Sequence, residues 1–284
     1  MLGDHNQVRL RSSVFAAALV LVISTPLPAG RVPDLTPEGK PNIQSDSAFV
    51  FDMESGEVLF SKNPDVVRPI ASTGKIFVAL LAQEKKIALE EKTPIKKLDR
   101  RYVRGGSRTR FRVGDEIQNE DLLEAMLVAS DNAAPTAVGR ALGLETDKLV
   151  KELNQLSKEL GFENTSFIDP VGLAENKSTA KEMARALELA LRDPLLARIL
   201  SSQEASIYRN GRDVLYRNTN RSLHRHPDEV LGGKTGYTRA AGYCLVIAAR
   251  IKDKPLAMAF LGSTGSLTRF ADFARVRHWI LGGT

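Results

Sequence analysis

The sequence predicts an α+β fold: a central antiparallel sheet flanked by helices, with a mostly helical subdomain inserted over roughly 86–215. Three observations carry this. Strand-like runs stand at both ends of the chain, the middle has helical period with helix stop signals, and no internal repeat interrupts the plan. At 284 residues, 43% of them hydrophobic, the chain has material for a substantial core.

The N-terminus reads as an address. Arg9 and Arg11 precede an apolar stretch over 14–23 that is too short to span a bilayer, and STPLPAG then breaks it. A secretory signal is expected over 1–29, followed by a Pro-rich linker over 30–45 and the main domain over 46–284. No A-x-A-like site marks the cleavage point, so an uncleaved anchor is the competing reading. The mature protein is expected outside the cytoplasm, periplasmic or secreted.

Within the main domain, SAFVFD followed by SGEVLF predicts a hairpin turning at 54–56. Helical period and caps predict helices over 76–86, 119–142, 146–160 and 179–191, with LGF and DPVGL as breaks. The runs YCLVIAARI and PLAMAFLG, separated by the turn KDKP, predict two more strands before a closing helix over about 266–281.

Composition narrows the function. A formal charge of +6 with 6% aromatics supplies neither the basic excess nor the stacking surface of a nucleic-acid binder. It suits an anionic surface or a carboxylate-bearing substrate. Cys244 is the only cysteine, so no intrachain disulfide forms, and its apolar surroundings read as core. STGK and GGKT lack the glycine that a phosphate-binding loop needs; Pro69 and Asp228 stand there instead. His224 and His226 share a loop without a third ligand nearby, which argues against a metal site.

Lys75 is the first anomaly. It stands where the apolar run FVALLA begins a helix, and the positive end of the helix dipole disfavours a cation there. Ser72 precedes it at S-x-x-K spacing, which puts hydroxyl and amine on one helical face. Burial and the dipole favour a neutral lysine, the form a general base needs. Ser178 to Lys181 has the same spacing, but Thr179 and Glu182 there form a capping-box pattern ahead of an amphipathic helix. Ser130-Asp131-Asn132 follows LLEAMLVA and reads either as an N-cap or as side chains held at a cleft. Lys234-Thr235-Gly236 stands just ahead of YCLVIAA, either as a turn or as a cation and hydroxyl beside a strand edge, where they could grip a carboxylate; Gly236 allows close backbone approach.

In this order the three motifs resemble those of the penicillin-recognising serine acyltransferases. The chain is most similar to the low-molecular-mass penicillin-binding proteins of the D-alanyl-D-alanine carboxypeptidase/endopeptidase family. FVFDMESGEVLFSKNPDVVRPIASTGK, the segment around SDNAAP, ELGFENTSFIDPVGL with STAKEMA, RNTN and GGKTGYTRAAGYCLV carry the resemblance. TRFADFARVRHWI and GGSRTRFRVGD look more like the endopeptidase branch.

The resemblance implies a β-lactamase/DD-peptidase-like fold, with peptidoglycan stem peptides as substrate and β-lactam antibiotics as covalent inhibitors. It implies Ser72 as nucleophile, Lys75 as proton acceptor and Ser130 as proton relay. Asn132 would bind the substrate amide, Lys234 and Thr235 its acidic end, and the backbone N–H groups of Ser72 and Tyr237 would form the oxyanion hole. No metal or organic cofactor is implied. Asp131, where many relatives carry a small residue, keeps a class A-like β-lactamase reading open, but no E-x-x-L-N pattern between Asn132 and Lys234 places a deacylating glutamate. A catalytically weak wall-binding or penicillin-sensing protein is the other alternative. A single helix after the final strands leaves no room for the extra β-domain and anchor of membrane-tethered relatives, so no integral membrane domain is expected. Arg100, Arg101, Arg104, Arg108, Arg110 and Arg112 read as a solvated basic loop or as a guide for acidic wall polymer.

Overall fold

The computed structural model describes residues 33–103 and 109–283. The expected signal segment over 1–29, together with Arg104 and Arg108, lies outside them. All the named elements belong to the unit that begins at Asp34.

The chain opens with a hairpin of β1 (Ser47–Asp52) and β2 (Val58–Lys62), turning through Gly56 at φ +76. Short β3 (Arg68–Pro69) leads into a 3-10 turn over Ala71–Gly74 and then α1 (Lys75–Glu84). The inserted region holds β4 (Lys92–Pro94), β5 (Glu116–Gln118), α2 (Asn119–Leu127), α3 (Ala134–Ala141), α4 (Thr146–Glu159), β6 (Lys177–Ser178), α5 (Ala180–Arg192), α6 (Pro194–Ser201) and a hairpin of β7 (Glu204–Arg209) and β8 (Arg212–Arg217). The chain closes with α7 (Arg221–Arg225), β9 (Val230–Thr238), β10 (Gly242–Ile251), β11 (Lys254–Ser263) and α8 (Thr268–Ile280).

The main sheet runs β2-β1-β11-β10-β9, antiparallel throughout. The expected antiparallel sheet is therefore present, built from both ends of the chain, with β1 paired to β11 from Ser47 opposite Leu261 to Asp52 opposite Leu256. Strand alternation sends its side chains to two cores. Phe49, Phe51, Cys244, Val246, Ala248, Ala257 and Ala259 face the core shared with α1 to α6. Val50, Leu245, Ile247, Met258 and Phe260 pack against Phe270, Phe273 and Val276 of α8. The strands read as continuous apolar runs because both faces are buried.

Three expectations need correction. The predicted helix over 119–142 is two helices, α2 and α3, because Ser130 adopts φ +60 and turns the chain between them. Lys234-Thr235-Gly236, which does precede the strand YCLVIAA (β10), is not a turn; it lies inside β9, an edge strand of the sheet. The inserted region also contains a hairpin, β7–β8, that helical period did not suggest.

The described part of the Pro-rich stretch is held down. The buried carboxylate of Asp272 on α8 accepts hydrogen bonds from Gln44 N at 2.9 Å, Ser45 N at 2.8 Å and Ser45 Oγ at 2.6 Å, and pairs with Arg275 at 2.9 Å. None of the described helices is long and apolar enough to cross a membrane.

Candidate active site

Ser72 sits half-buried on the 3-10 turn that caps α1. Its spacing to Lys75 suits such a turn, where positions three apart eclipse. The turn is strained at its entrance: Ala71 has φ +50, and Gly172 packs so tightly on it that a Cβ there would lie 2.2 Å from the Ala71 carbonyl oxygen. Only glycine fits that approach. The loop carrying Gly172 is latched by Asp169, whose Oδ1 accepts from Val171 N and Gly172 N at 2.6 Å each. Ile70 N donates to the Asn176 carbonyl at 3.0 Å, and Ser72 Oγ donates to the Val171 carbonyl at 3.3 Å.

Lys75 opens α1 with no solvent exposure. Its Nζ donates to Asn132 Oδ1 at 2.6 Å, Ser130 O at 2.8 Å, Asp131 O at 3.2 Å and Ser130 Oγ at 3.3 Å. Burial lowers its pKa to about 7, while the carboxylates of Asp131 and Asp169 pull it upward. An amine near that value exists in both forms at neutral pH, as a general base requires. No hydrogen bond joins Lys75 Nζ to Ser72 Oγ among the described residues; such contacts often tighten only when a reacting group arrives.

The loop between α2 and α3 supplies the facing wall. Ser130, Asp131 and Asn132 are all buried. Asp131 Oδ1 accepts from Ala133 N at 2.8 Å, while Ala133 stands at the N-cap of α3 without a side-chain cap, so the triplet builds a turn rather than capping the helix. Asn132 Nδ2 donates to the Tyr102 carbonyl at 3.2 Å, which leaves its oxygen on Lys75. Burial pushes the Asp131 carboxyl upward, against hydrogen bonds from Thr109 and the Ala133 N–H and the charge of Lys75.

β9 closes the site. A Cβ on Gly236 would stand 3.0 Å from Ile70 O, Ser72 N and Thr73 N, so this glycine lets the strand lie directly on the Ser72 turn. The Ser72 and Tyr237 backbones are thereby brought close. Lys234 is 1% exposed and donates to the Thr235 carbonyl at 3.0 Å. Burial first, then the charges of Lys75 and Arg269, hold it well below the ordinary lysine range. Thr235 Oγ1 pairs with Thr219 Oγ1 at 2.6 Å. Tyr237 is 53% exposed, its ring stacked on Tyr243 with centroids 4.2 Å apart.

Two participants were not singled out from sequence. Thr219 lies in the RNTN block, and Arg269, from TRFADFARVRHWI, donates to Gly236 O at 2.7 Å and Cys244 O at 3.1 Å. Both lie in segments that carry the resemblance, which was their only available signal. Lys234 and Arg269 thus stand together at β9 as hydrogen-bond donors, suited to a carboxylate.

A family model described as D-alanyl-D-alanine carboxypeptidase matches residues 35–265. The chain is 32% identical over 276 residues to the D-alanyl-D-alanine endopeptidase of Escherichia coli K12, covering 96% of this chain and 89% of that protein. It is 33% identical over 271 residues to the D-alanyl-D-alanine endopeptidase of Pseudomonas aeruginosa PAO1, covering 94% and 87%. Among solved structures, the D-alanyl-D-alanine carboxypeptidase from Mycobacterium tuberculosis H37Rv matches with a TM-score of 0.79 and 26% identity, over 92% of this chain and 97% of that one. The Streptomyces K15 DD-transpeptidase matches in fold, with a TM-score of 0.79 and 24% identity over 86% of this chain and 99% of that one. With its family model spanning most of the chain and these relatives matching nearly end to end, this protein belongs to the D-alanyl-D-alanine carboxypeptidase family.

Proposed function

We propose that the protein is a serine DD-endopeptidase that cleaves peptidoglycan cross-links outside the cytoplasm through an acyl-enzyme on Ser72. Family membership carries the coarser statement: a DD-peptidase of the penicillin-binding kind, acting on peptidoglycan peptides. The observation that supports the finer one is the fully buried Lys75 amine, set between the Ser72 turn and the Ser130–Asn132 wall.

In this reading neutral Lys75 takes the Ser72 proton as Oγ attacks the scissile carbonyl. The N–H groups of Ser72 and Tyr237 hold the developing oxyanion, which is where preorganised donors contribute most. Ser130, within reach of Lys75, returns the proton to the leaving amine, and the acyl-enzyme is then hydrolysed by water. Asn132 orients the substrate amide, while Lys234 and Thr235 hold the acidic end. The relatives named endopeptidase, at 32% and 33% identity, favour cross-linked over linear substrate.

Mass spectrometry after incubation with benzylpenicillin tests the nucleophile. A persistent adduct on Ser72, absent from Ser72→Ala, supports the reading. Rapid loss of antibiotic without an adduct would point to a β-lactamase instead, and intact antibiotic without an adduct to a wall-binding protein. Digestion of cross-linked against linear muropeptides then decides the bond cleaved.

A further inference from the structure

Among the groups that the reaction leaves unused is a basic face beside the Ser130–Asn132 wall. A cleft of about 700 Å³ lies along a 3-10 turn over Asp99–Val103 and is lined by Lys97, Leu98, Arg100, Arg101 and Val103. The turn is fastened to the candidate active site, because the Tyr102 carbonyl accepts from Asn132 Nδ2 at 3.2 Å. Arg100 donates to the Phe111 carbonyl, which brings the stretch carrying Arg110 and Arg112 alongside.

Residues 96–115 contain two carboxylates, and both are engaged inside the fold. Asp99 is fully buried, accepts from Lys96 N at 2.7 Å and pairs with Arg140. Asp115 is also buried; it accepts from Arg112 N at 2.7 Å and Asn210 Nδ2 at 2.8 Å, and pairs with Arg209 at 3.5 Å. Lys97, Arg100, Arg101, Arg110 and Arg112 are exposed, and none has a carboxylate partner among the described residues. The fold thus turns its acids inward here and its cations outward.

Charge fixes the kind of partner. A single exposed ion pair contributes little, so a lone acidic group is held poorly on such a face, and a ligand must engage several cations at once. A polymer with carboxylates spaced along it does this, since each group after the first binds at high effective concentration. Leu98 and Val103 are half-buried, so the cleft lining offers no exposed apolar side chain to enter a lipid layer.

We propose that this basic face is an exosite for acidic wall polymer, where Lys97, Arg100 and Arg101 hold carboxylates of a peptidoglycan strand away from the bond being cut. The inference rests on the DD-peptidase reading of the adjacent site and adds a second point of attachment, one that serves polymeric substrate and not small peptides. Such attachment weakens with salt, because the Debye length falls from about 30 Å at 0.01 M to about 8 Å at 0.15 M.

The test is co-sedimentation of full-length Ser72→Ala protein, which leaves the polymer uncut, with intact sacculi. Adding Lys97→Glu and Arg101→Glu should weaken binding about tenfold at about 0.01 M salt, and less at about 0.15 M. Arg100 is left in place because it ties down the Phe111 carbonyl. The charge-keeping pair, Lys97→Arg with Arg101→Lys, should bind as the unsubstituted background does, which separates lost charge from a failed fold. A charge-matched control, Arg225→Glu with Lys252→Glu, reverses exposed cations on α7 and at the β10–β11 turn and should change binding less than about twofold. Sacculi whose carboxyl groups have been converted to carboxamides should erase the difference. Undiminished binding after the two charge reversals overturns the proposal, as does an equal loss in the control or the charge-keeping pair, or a loss that persists on amidated sacculi. A loss seen only with vesicles of anionic phospholipid overturns it in favour of a membrane surface. Benzylpenicillin labelling of the wild type is read separately. Labelling with unchanged sacculus binding defeats the exosite alone, and absent labelling defeats the peptidase reading while the sacculus comparison still decides the exosite.

Discussion

The burial of Lys75 makes a quantitative demand on the pH dependence of acylation. If the amine must be neutral to take the Ser72 proton, the second-order rate of acylation by benzylpenicillin follows the deprotonated fraction of a group with a pKa of about 7. That fraction is about a tenth at pH 6 and about nine-tenths at pH 8. The rate should therefore rise about tenfold between those values and level off above pH 8. A lysine with its ordinary pKa would instead give about a hundredfold rise over the same interval and keep rising beyond pH 9. Stopped-flow or quenched acylation across pH 5.5 to about 9.5 separates the cases. Asp131→Asn adds a second handle, since the Asp131 charge favours the ammonium form; its removal should move the inflection to lower pH while Asn keeps an acceptor for Ala133 N. A rate that stays flat, or that climbs without a plateau, would refute Lys75 as the titrating base. The stability sign follows from the same depression. Between about pH 7 and 10.5 the unfolded chain holds a proton on this lysine that the native state lacks, so the urea midpoint should rise with pH in that window.

Other perturbations separate the site from its scaffold. Gly236→Ala puts a Cβ 3.0 Å from three backbone atoms of the Ser72 turn; displacing β9 by an ångström should cost about a hundredfold in acylation, and wild-type rates would show that the close approach is dispensable. Thr179 Oγ1 accepts from Glu182 N at 3.1 Å at the start of α5, so Thr179→Ala should lose about 1 kcal/mol in urea denaturation. Lys181→Ala, in the second S-x-x-K match, should leave benzylpenicillin acylation unchanged. Asp272→Ala leaves buried Arg275 its longer 3.9 Å contact with Asp34 and frees Gln44 and Ser45; it should cost about 3 kcal/mol and open residues 34–45 to protease, read by melting and limited digestion.

Sequence patterns revealed those parts of the fold where one physical signal dominates. Apolar continuity over YCLVIAARI and PLAMAFLG marked β10 and β11, and the S-x-x-K misfit marked Lys75 before any contact was known. β9 was less legible because Gly232, Gly233 and Gly236 depress strand propensity, and the fold needs each for close packing: a Cβ on Gly233 would lie 2.6 Å from Val246 O. The break between α2 and α3 was hidden because apolar helical period continues on both sides of Ser130, whose positive φ reverses the chain. The β7–β8 hairpin had a readable signal that helical expectations overrode. Asn210-Gly211, at φ +51 and +81, is the turn pair that suits such hairpins, between two alternating runs. Thr219 and Arg269 reach the site only by tertiary folding, which spacing along the chain does not encode.

The pairing of β1 with β11 also shapes how the molecule is made. In the opening hairpin β1 has only β2 for a partner until almost the whole chain exists, because Ser47 must find Leu261. Non-local closures of this kind are slow, and the sheet cannot assemble vectorially from the N-terminus. The sheet cannot lock until its last strand is made, and the bond between Asp272 on the closing helix and Ser45 at the front of the domain seals it only then.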